Sequence, residues 1–323
     1  LAQRRPAEAG LWFSETSDIW SDYEGSFGAA KRALYIAILH QQLPLDFLVE
    51  QDALDGTLAR YKVLYLADRH VSRAASAKIA AWVQGGGRLL ATAGAGMFDE
   101  YHQPNQTLRA LLGAEMTALM EPADTQVSFI KQDLPFARAL DTVTWSGQWL
   151  PVTGAIARLK AGPEATVEGT FLDGSPAVVA REVGKGVVRT CGFLPGLTYF
   201  HPAIPRRPVD RGTTDDSMAH FVPTQFDPAA ARLVGSIAEN VVRPVTCSQP
   251  LVEASLIESA AGSIIVLNNW SGQPVRGLTV TAHIPLPARN ATLAGGAKLT
   301  VSKEGERTVY TLDLDVADVL VLR

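Results

Sequence analysis

Between Lys62 and Thr92 the sequence spells out a strand, a helix, a stop and a second strand, and no other stretch restricts the possible folds as much. Lys62-Val63-Leu64-Tyr65-Leu66-Ala67 is a continuous apolar run, the pattern of a strand covered on both faces. Ser72 is placed to cap a helix that carries Ala75, Ile79, Trp82 and Val83 on one face. Gly85-Gly86-Gly87 stops that helix, where left-handed backbone carries no Cβ strain, and Arg88-Leu89-Leu90-Ala91-Thr92 resumes as a strand. Two strands joined through a helix run parallel and need helices on their faces.

The same alternation extends upstream. Leu11 to Ser14 reads as a strand, Ser26 opens a helix with Phe27, Ala30, Leu34, Ala37 and Ile38 at helical spacing, and Leu45 to Val49 is the next strand. A short helical piece over Asp52 to Arg60 leads into the apolar run. The expectation is an α/β fold: a flavodoxin-like, doubly wound, mostly parallel sheet.

After residue 125 the period shortens. Strands are expected at Gln126–Ile130, Ala165–Phe171, Ala177–Glu182 and Gly186–Phe193, with turns at Asp173-Gly174 and Gly184-Lys185-Gly186, as a β annex to the sheet. From Tyr199 to Phe226 a stretch rich in Pro, Arg and Asp shows no period and reads as a lid or a loose loop. Asp227-Pro228 then opens a helix with Ala231, Val234, Ile237, Ala238 and Val241 on its buried face, and Pro244 ends it. Beyond Pro250 six short alternating runs separated by Gly, Asn and Pro suggest a small antiparallel β-sandwich. The expected division is residues 1–247 for the α/β domain and 248–323 for the β domain.

Composition excludes several classes of function. The 323 residues have a net charge of −4 with Lys and Arg scattered along the chain, so the basic footprint of a nucleic-acid binder is missing. No window approaches the roughly 20 apolar residues that span a bilayer, and no membrane association is expected. Cys191 and Cys247 are too few for a disulfide framework or a thiolate zinc site, and the six His lack metal-ligand spacing, so neither metal nor cofactor is expected. The chain begins at Leu1 without Met, the mark of a mature form or of a piece of something longer.

Open α/β sheets bind ligands beyond the carboxyl ends of their strands. Three loops occupy that place: Ser14 to Trp20, Asp68 to His70, and Ala93 to Tyr101. Their candidate binding residues are Glu15, Asp18, Trp20, His70, Asp99, Glu100 and Tyr101, a set able to hydrogen-bond a polyol and stack on a sugar ring. Solvation and helix capping are the commoner reason for such carboxylates. Gly94-Ala95-Gly96 lacks the third glycine of a dinucleotide loop and the Gly-Lys-Ser/Thr of a phosphate loop. The turn after the fourth strand, the place for a nucleophile elbow, holds neither Ser nor Cys, so no catalytic residue is assigned. Trp145 and Trp149 flank a turn and fit either a partner contact or local core.

These segments carry a resemblance. Leu43 to Glu50, Tyr61 to Leu66, Ala80 to Leu90, Gly174 to Val179 and Gly184 to Val188 resemble the class I glutamine amidotransferase-like domain that follows the catalytic barrel in family 42 β-galactosidases, called their trimerization domain. The terminal β segments are similar to the small C-terminal domain of those enzymes. Two departures matter. The amidotransferase Cys is replaced by Thr92-Ala93-Gly94, and the His-Pro-Glu motif reads His201-Pro202-Ala203, which speaks against glutaminase chemistry. A catalytic TIM barrel takes roughly 250 residues, for which this chain has no room. The resemblance implies a non-catalytic accessory region of a glycoside hydrolase-like protein that assembles as a homo-oligomer, a trimer by the family's habit, and walls a neighbour's active site. A carbohydrate-binding module is the alternative. A stand-alone glycoside hydrolase using Glu15 or Glu100 comes last.

Overall fold

The computed structural model describes residues 2–20, 26–121, 139–203, 224–286 and 290–323. In chain order the first part contains β1 (Gln3–Arg4), β2 (Ala9–Trp12), α1 (Glu15–Trp20), α2 (Ser26–His40), β3 (Leu45–Leu48), α3 (Glu50–Leu54), β4 (Val63–Leu66), α4 (Arg73–Gln84), β5 (Arg88–Ala91) and α5 (Gln106–Leu111). Strands β3, β2, β4 and β5 lie side by side in that order and all parallel.

The apolar run at β4 works as its pattern implies. Val63, Tyr65 and Ala67 point into one core with Leu34 and Ile38 of α2, whereas Leu64 and Leu66 point into a second with Ile79 and Val83 of α4. Because side chains alternate along a strand, one sequence feeds two cores, and each fully buried Leu or Val is worth roughly 1.5–3 kcal/mol. Ser72 caps α4 by accepting the Ala75 N–H at 3.2 Å, and Gly86 turns the chain out of it at φ +124°.

The next part holds β6 (Ala114–Met120), β7 (Asp141–Trp145), β8 (Gln148–Val152), β9 (Ile156–Ala161), β10 (Thr166–Phe171), β11 (Pro176–Val183), β12 (Gly186–Cys191), α6 (Pro195–Phe200) and α7 (Pro228–Ser236). Strand β12 joins β5 in parallel, and β11, β10, β7 and β8 continue outward as antiparallel neighbours, giving nine strands in one sheet. The turns at Asp173-Gly174 and Gly184-Lys185 close the β10–β11 and β11–β12 hairpins, with Gly174 and Gly184 at positive φ. Asp227 caps α7, accepting from Ala229 and Ala230 N–H. The buried Tyr65 hydroxyl of β4 donates to the Val234 carbonyl of that helix at 3.0 Å.

Two expectations are corrected, and two others are not reached. Residues 15–20, read as loop, form the short helix α1. Strands β6 and β9, which pair as a separate two-stranded sheet, and helix α6 were not foreseen. The strand expected at 126–130 and most of the aperiodic stretch before Phe226 lie outside the described residues.

The last part comprises β13 (Val245–Cys247), β14 (Val252–Ser259), β15 (Gly262–Asn269), β16 (Val275–Ala282), β17 (Ala291–Leu293), β18 (Leu299–Glu304), β19 (Arg307–Leu314) and β20 (Ala317–Leu322). They form two antiparallel sheets, β1-β14-β15-β20-β17 and β13-β16-β19-β18. Leu256, Ile265 and Leu320 of the first share a core with Val280, Tyr310 and Leu312 of the second. Strand β1, from the other end of the chain, pairs with β14 through Gln3–Glu258 and Arg4–Ile257.

Candidate functional site

The parallel strands present their carboxyl ends together, and the chain leaves β2 toward β3 on one side and reaches β4 on the other. The crevice of such a sheet opens between those two strands, where the connections diverge. Ser14 follows β2 and Asp68 follows β4, and the Ser14 N–H donates to the Asp68 carboxylate across this gap at 3.0 Å. Backbone bonds from Gly96 N–H to the Asp68 carbonyl and from Phe98 N–H to the Arg69 carbonyl stitch the loops after β4 and β5 into one surface.

One side of that surface is an aromatic and imidazole cluster. Trp20 stacks on His70 with centroids 5.9 Å apart, His70 on Phe98 at 5.2 Å, and Phe98 on His102 at 4.3 Å. His70 Nε2 and His102 Nδ1 share a hydrogen bond of 2.8 Å. Burial lowers the His70 pKa to about 4, with His102 and Arg69 adding repulsion, so the ring is neutral at physiological pH. The Trp20 indole N–H donates to the Glu100 carbonyl at 3.2 Å.

The neighbouring carboxylates are already engaged. Burial works against charge on Asp99, but N–H groups of Gln103 and Tyr101 and the Arg73 guanidinium at 2.7 Å hold its carboxyl below the usual range. Glu100 accepts the Arg73 N–H at 2.8 Å, placing negative charge at the start of α4 where the helix dipole favours it. Arg73 itself lies 5.3 Å from the Tyr101 ring.

The other side is a cavity of about 340 Å³. Phe27, Lys31 and Tyr35, four residues apart on α2, line it together with Phe13, Phe47 and Arg69, with Phe47 stacked on Tyr35 and Arg69 over Phe27. Lys31 Nζ stands 2.7 Å from Asp68 and 3.9 Å from Asp18. Burial pushes the Asp68 carboxyl up to about 6, against the pull of Lys31 and the Ser14 N–H.

Of the residues singled out by sequence, Trp20, His70, Asp99, Glu100 and Tyr101 come together in the first cluster. Asp18 borders the cavity instead, and Glu15 is exposed at the start of α1. Phe98, His102, Arg73, Lys31 and Asp68 were not singled out. The spacing of Phe27, Lys31 and Tyr35 is the one signal that could have found the cavity wall, a stripe beside the core-facing positions of the same helix. Trp145 packs against the core while Trp149 remains exposed. Cys191 is buried, and burial raises both thiols to about 12, far from a reactive thiolate. Among the described residues no group of three His, Cys, Asp or Glu could hold a metal ion, and no helix is long and apolar enough to cross a membrane.

The family model of the β-galactosidase trimerisation domain matches residues 11–204, more than half of the chain. The chain belongs to that family. The trimerisation-domain match runs from β2 through α6 and takes in both halves of the crevice. Solved structures extend the likeness beyond it. A GH42 β-galactosidase from G. stearothermophilus superposes with a TM-score of 0.66 at 17% identity, over 99% of this chain and 40% of its own. A cold-adapted β-galactosidase from Rahnella sp. R3 gives 0.64 at 17% identity, over 98% and 41%. An α-L-fucosidase isoenzyme from Paenibacillus thiaminolyticus gives 0.62 at 14% identity, over 100% and 49%. The chain therefore spans about 40% of the length of the β-galactosidases whose fold it shares. No curated protein matches it. In this trimerisation domain the turn after β5 is Ala93 to Gly96, with the buried Ala93 methyl where an elbow would carry its nucleophile.

Proposed function

We propose that this chain is a non-catalytic accessory and oligomerisation region of a glycoside hydrolase-like protein of the β-galactosidase type. The observation that carries the reading is the trimerisation-domain match over residues 11–204. The turn after β5, with Ala93 and Gly94 where a nucleophile would sit, supports it, as does the engagement of Asp99 and Glu100 with Arg73. Sedimentation equilibrium of the purified chain at high concentration tests it. A trimer is expected, and a monodisperse monomer overturns it.

The finer architecture belongs to the same reading. The order β3-β2-β4-β5, with α2 and α4 on opposite faces, supports a flavodoxin-like, class I glutamine amidotransferase-like unit. The core shared by the two C-terminal sheets supports a β-sandwich, and the division proposed near residue 247 falls at the end of β13, whose Val245 already belongs to that core.

A second reading is a carbohydrate-binding module. The half-exposed Trp20 and the Tyr101 ring, 65% exposed, favour it, because such rings stack on sugars beside Glu100, Asp99 and His70, with Asp18 and Glu15 near the rim. Tryptophan fluorescence on titration with galactosides and plant oligosaccharides tests it, and an unchanged signal across the panel overturns it. A stand-alone hydrolase using Glu15 or Glu100 has the least support. It requires chromogenic glycosides to be cleaved by the chain and spared by Glu100→Gln.

A further inference from the structure

The cavity between β2 and β4 contains a cation with which no carboxylate among the described residues forms an ion pair. Lys31 is matched by Asp68 at 2.7 Å and Asp18 at 3.9 Å. Arg69 is not. Its guanidinium lies 5.1 Å from the Phe27 ring centroid and 5.7 Å from that of Phe98, its buried Nε–H has no acceptor, and no carboxylate among the described residues pairs with it. A buried donor left without a partner costs about 1–3 kcal/mol, and the rest of the partly exposed guanidinium lines the cavity, open to an anion there.

The rest of the cavity says what shape that partner has. Tyr35 and Phe47 stack with centroids 5.3 Å apart and together close one part of the cavity with apolar ring surface. Phe13 carries the Lys31 ammonium 4.4 Å above its ring, and Phe27 carries Arg69. A volume of about 340 Å³ admits a molecule of one ring with a short side arm. Phosphate alone would satisfy Arg69 but leave the aromatic surface unused. A neutral ring would use that surface but leave the guanidinium unpaired.

We propose that this cavity binds a small organic carboxylate with a flat apolar body, its carboxylate on Arg69 and its body against Tyr35 and Phe47. The pairing is charge-assisted, the class of hydrogen bond for which a planar guanidinium is best suited.

The test uses the whole chain in its native assembly, titrated by calorimetry with phenylacetate, with 2-phenylethanol and with inorganic phosphate. Phenylacetate is expected to bind saturably at millimolar concentration or below, with each of the other two about tenfold weaker or worse. Arg69→Gln is expected to abolish the phenylacetate heat while the circular dichroism spectrum is kept. Phe47→Ser, at a position 53% exposed and therefore safe for folding, is expected to weaken phenylacetate about tenfold and leave phosphate unaffected. Phosphate or phenylethanol binding as tightly as phenylacetate overturns the proposal, as does no phenylacetate binding, or binding that survives Phe47→Ser unchanged. Should Arg69→Gln not fold, the three-probe comparison and Phe47→Ser decide by themselves.

Discussion

Lys31 Nζ lies 2.7 Å from the Asp68 carboxylate, and both groups are largely withdrawn from water, at 15% and 6% side-chain exposure. An ion pair in that setting is sustained by mutual need, because either charge alone would remain desolvated.

Lys31→Met should therefore be more damaging at high pH than at low. With the ammonium gone, Asp68, already raised to about 6, rises further and must ionise unpaired at pH 8, whereas at pH 5 it is protonated with or without Lys31. The expected loss is about 2–4 kcal/mol at pH 8 and clearly less at pH 5. Urea denaturation at the two pH values measures it.

Acid should destabilise the fold before any carboxylate with a lowered pKa is protonated. Burial brings both His40 and His70 to about 4 from 6.5, so between those values the unfolded chain takes up protons that the folded one refuses. Stability is fully present above pH 6.5 and is lost as pH falls toward 4. Asp68 acts oppositely, because its folded pKa of about 6 exceeds 3.8, and it offsets one of the two histidines. The net fall from pH 7 to pH 4.5 should be on the order of 2 kcal/mol, read from denaturation midpoints. His70→Phe, which keeps the stack with Trp20 and Phe98, should flatten the slope.

Glycines in two turns should respond very differently to alanine. A Cβ on Gly186 would lie 2.0 Å from the Val83 carbonyl oxygen and 2.3 Å from that of Gly87, where the end of α4 is pressed against β12. Gly174 has φ +82° and open space around it. Gly186→Ala should cost more than about 3 kcal/mol and Gly174→Ala about 1 kcal/mol. Thermal melts of the pair distinguish a packing constraint from a purely conformational one.

Asp227→Ala removes the acceptor for two N–H groups at the start of α7 and should cost about 1 kcal/mol, measurable as a lower melting temperature, while Asp227→Ser retains most of the stability.

How far these features could be read from sequence depended on how local their cause is. Strand β4 and helix α4 were legible because a strand buried on both faces and a helix buried on one write their periods directly. Helices α1 and α6 were not. Each has six residues, less than two turns, and five of the six in α6 are buried, so no periodic contrast exists to detect. Strands β6 and β9 escaped because their partners lie some 40 residues apart and β6 is half exposed along its length. At the site, the strand-end rule picked the right loops, but Asp68 and Lys31 acquire their meaning only from each other, across 37 residues. His102 shows the same limit, since its place against Phe98 and His70 depends on a left-handed residue at φ +57° that no pattern announces.

Strand β1 sews the beginning of the described chain to β14, more than 250 residues later, and Arg5 adds an ion pair with Glu258 at 3.3 Å. Gln42, between α2 and β3, bonds the Cys247 backbone from the other direction. The α/β sheet is thus tied to the β sheets at two points, β1 on β14 and Gln42 on the end of β13. A single nick in the link after Cys247 would leave the two halves fastened. A polypeptide built this way should melt once and not twice.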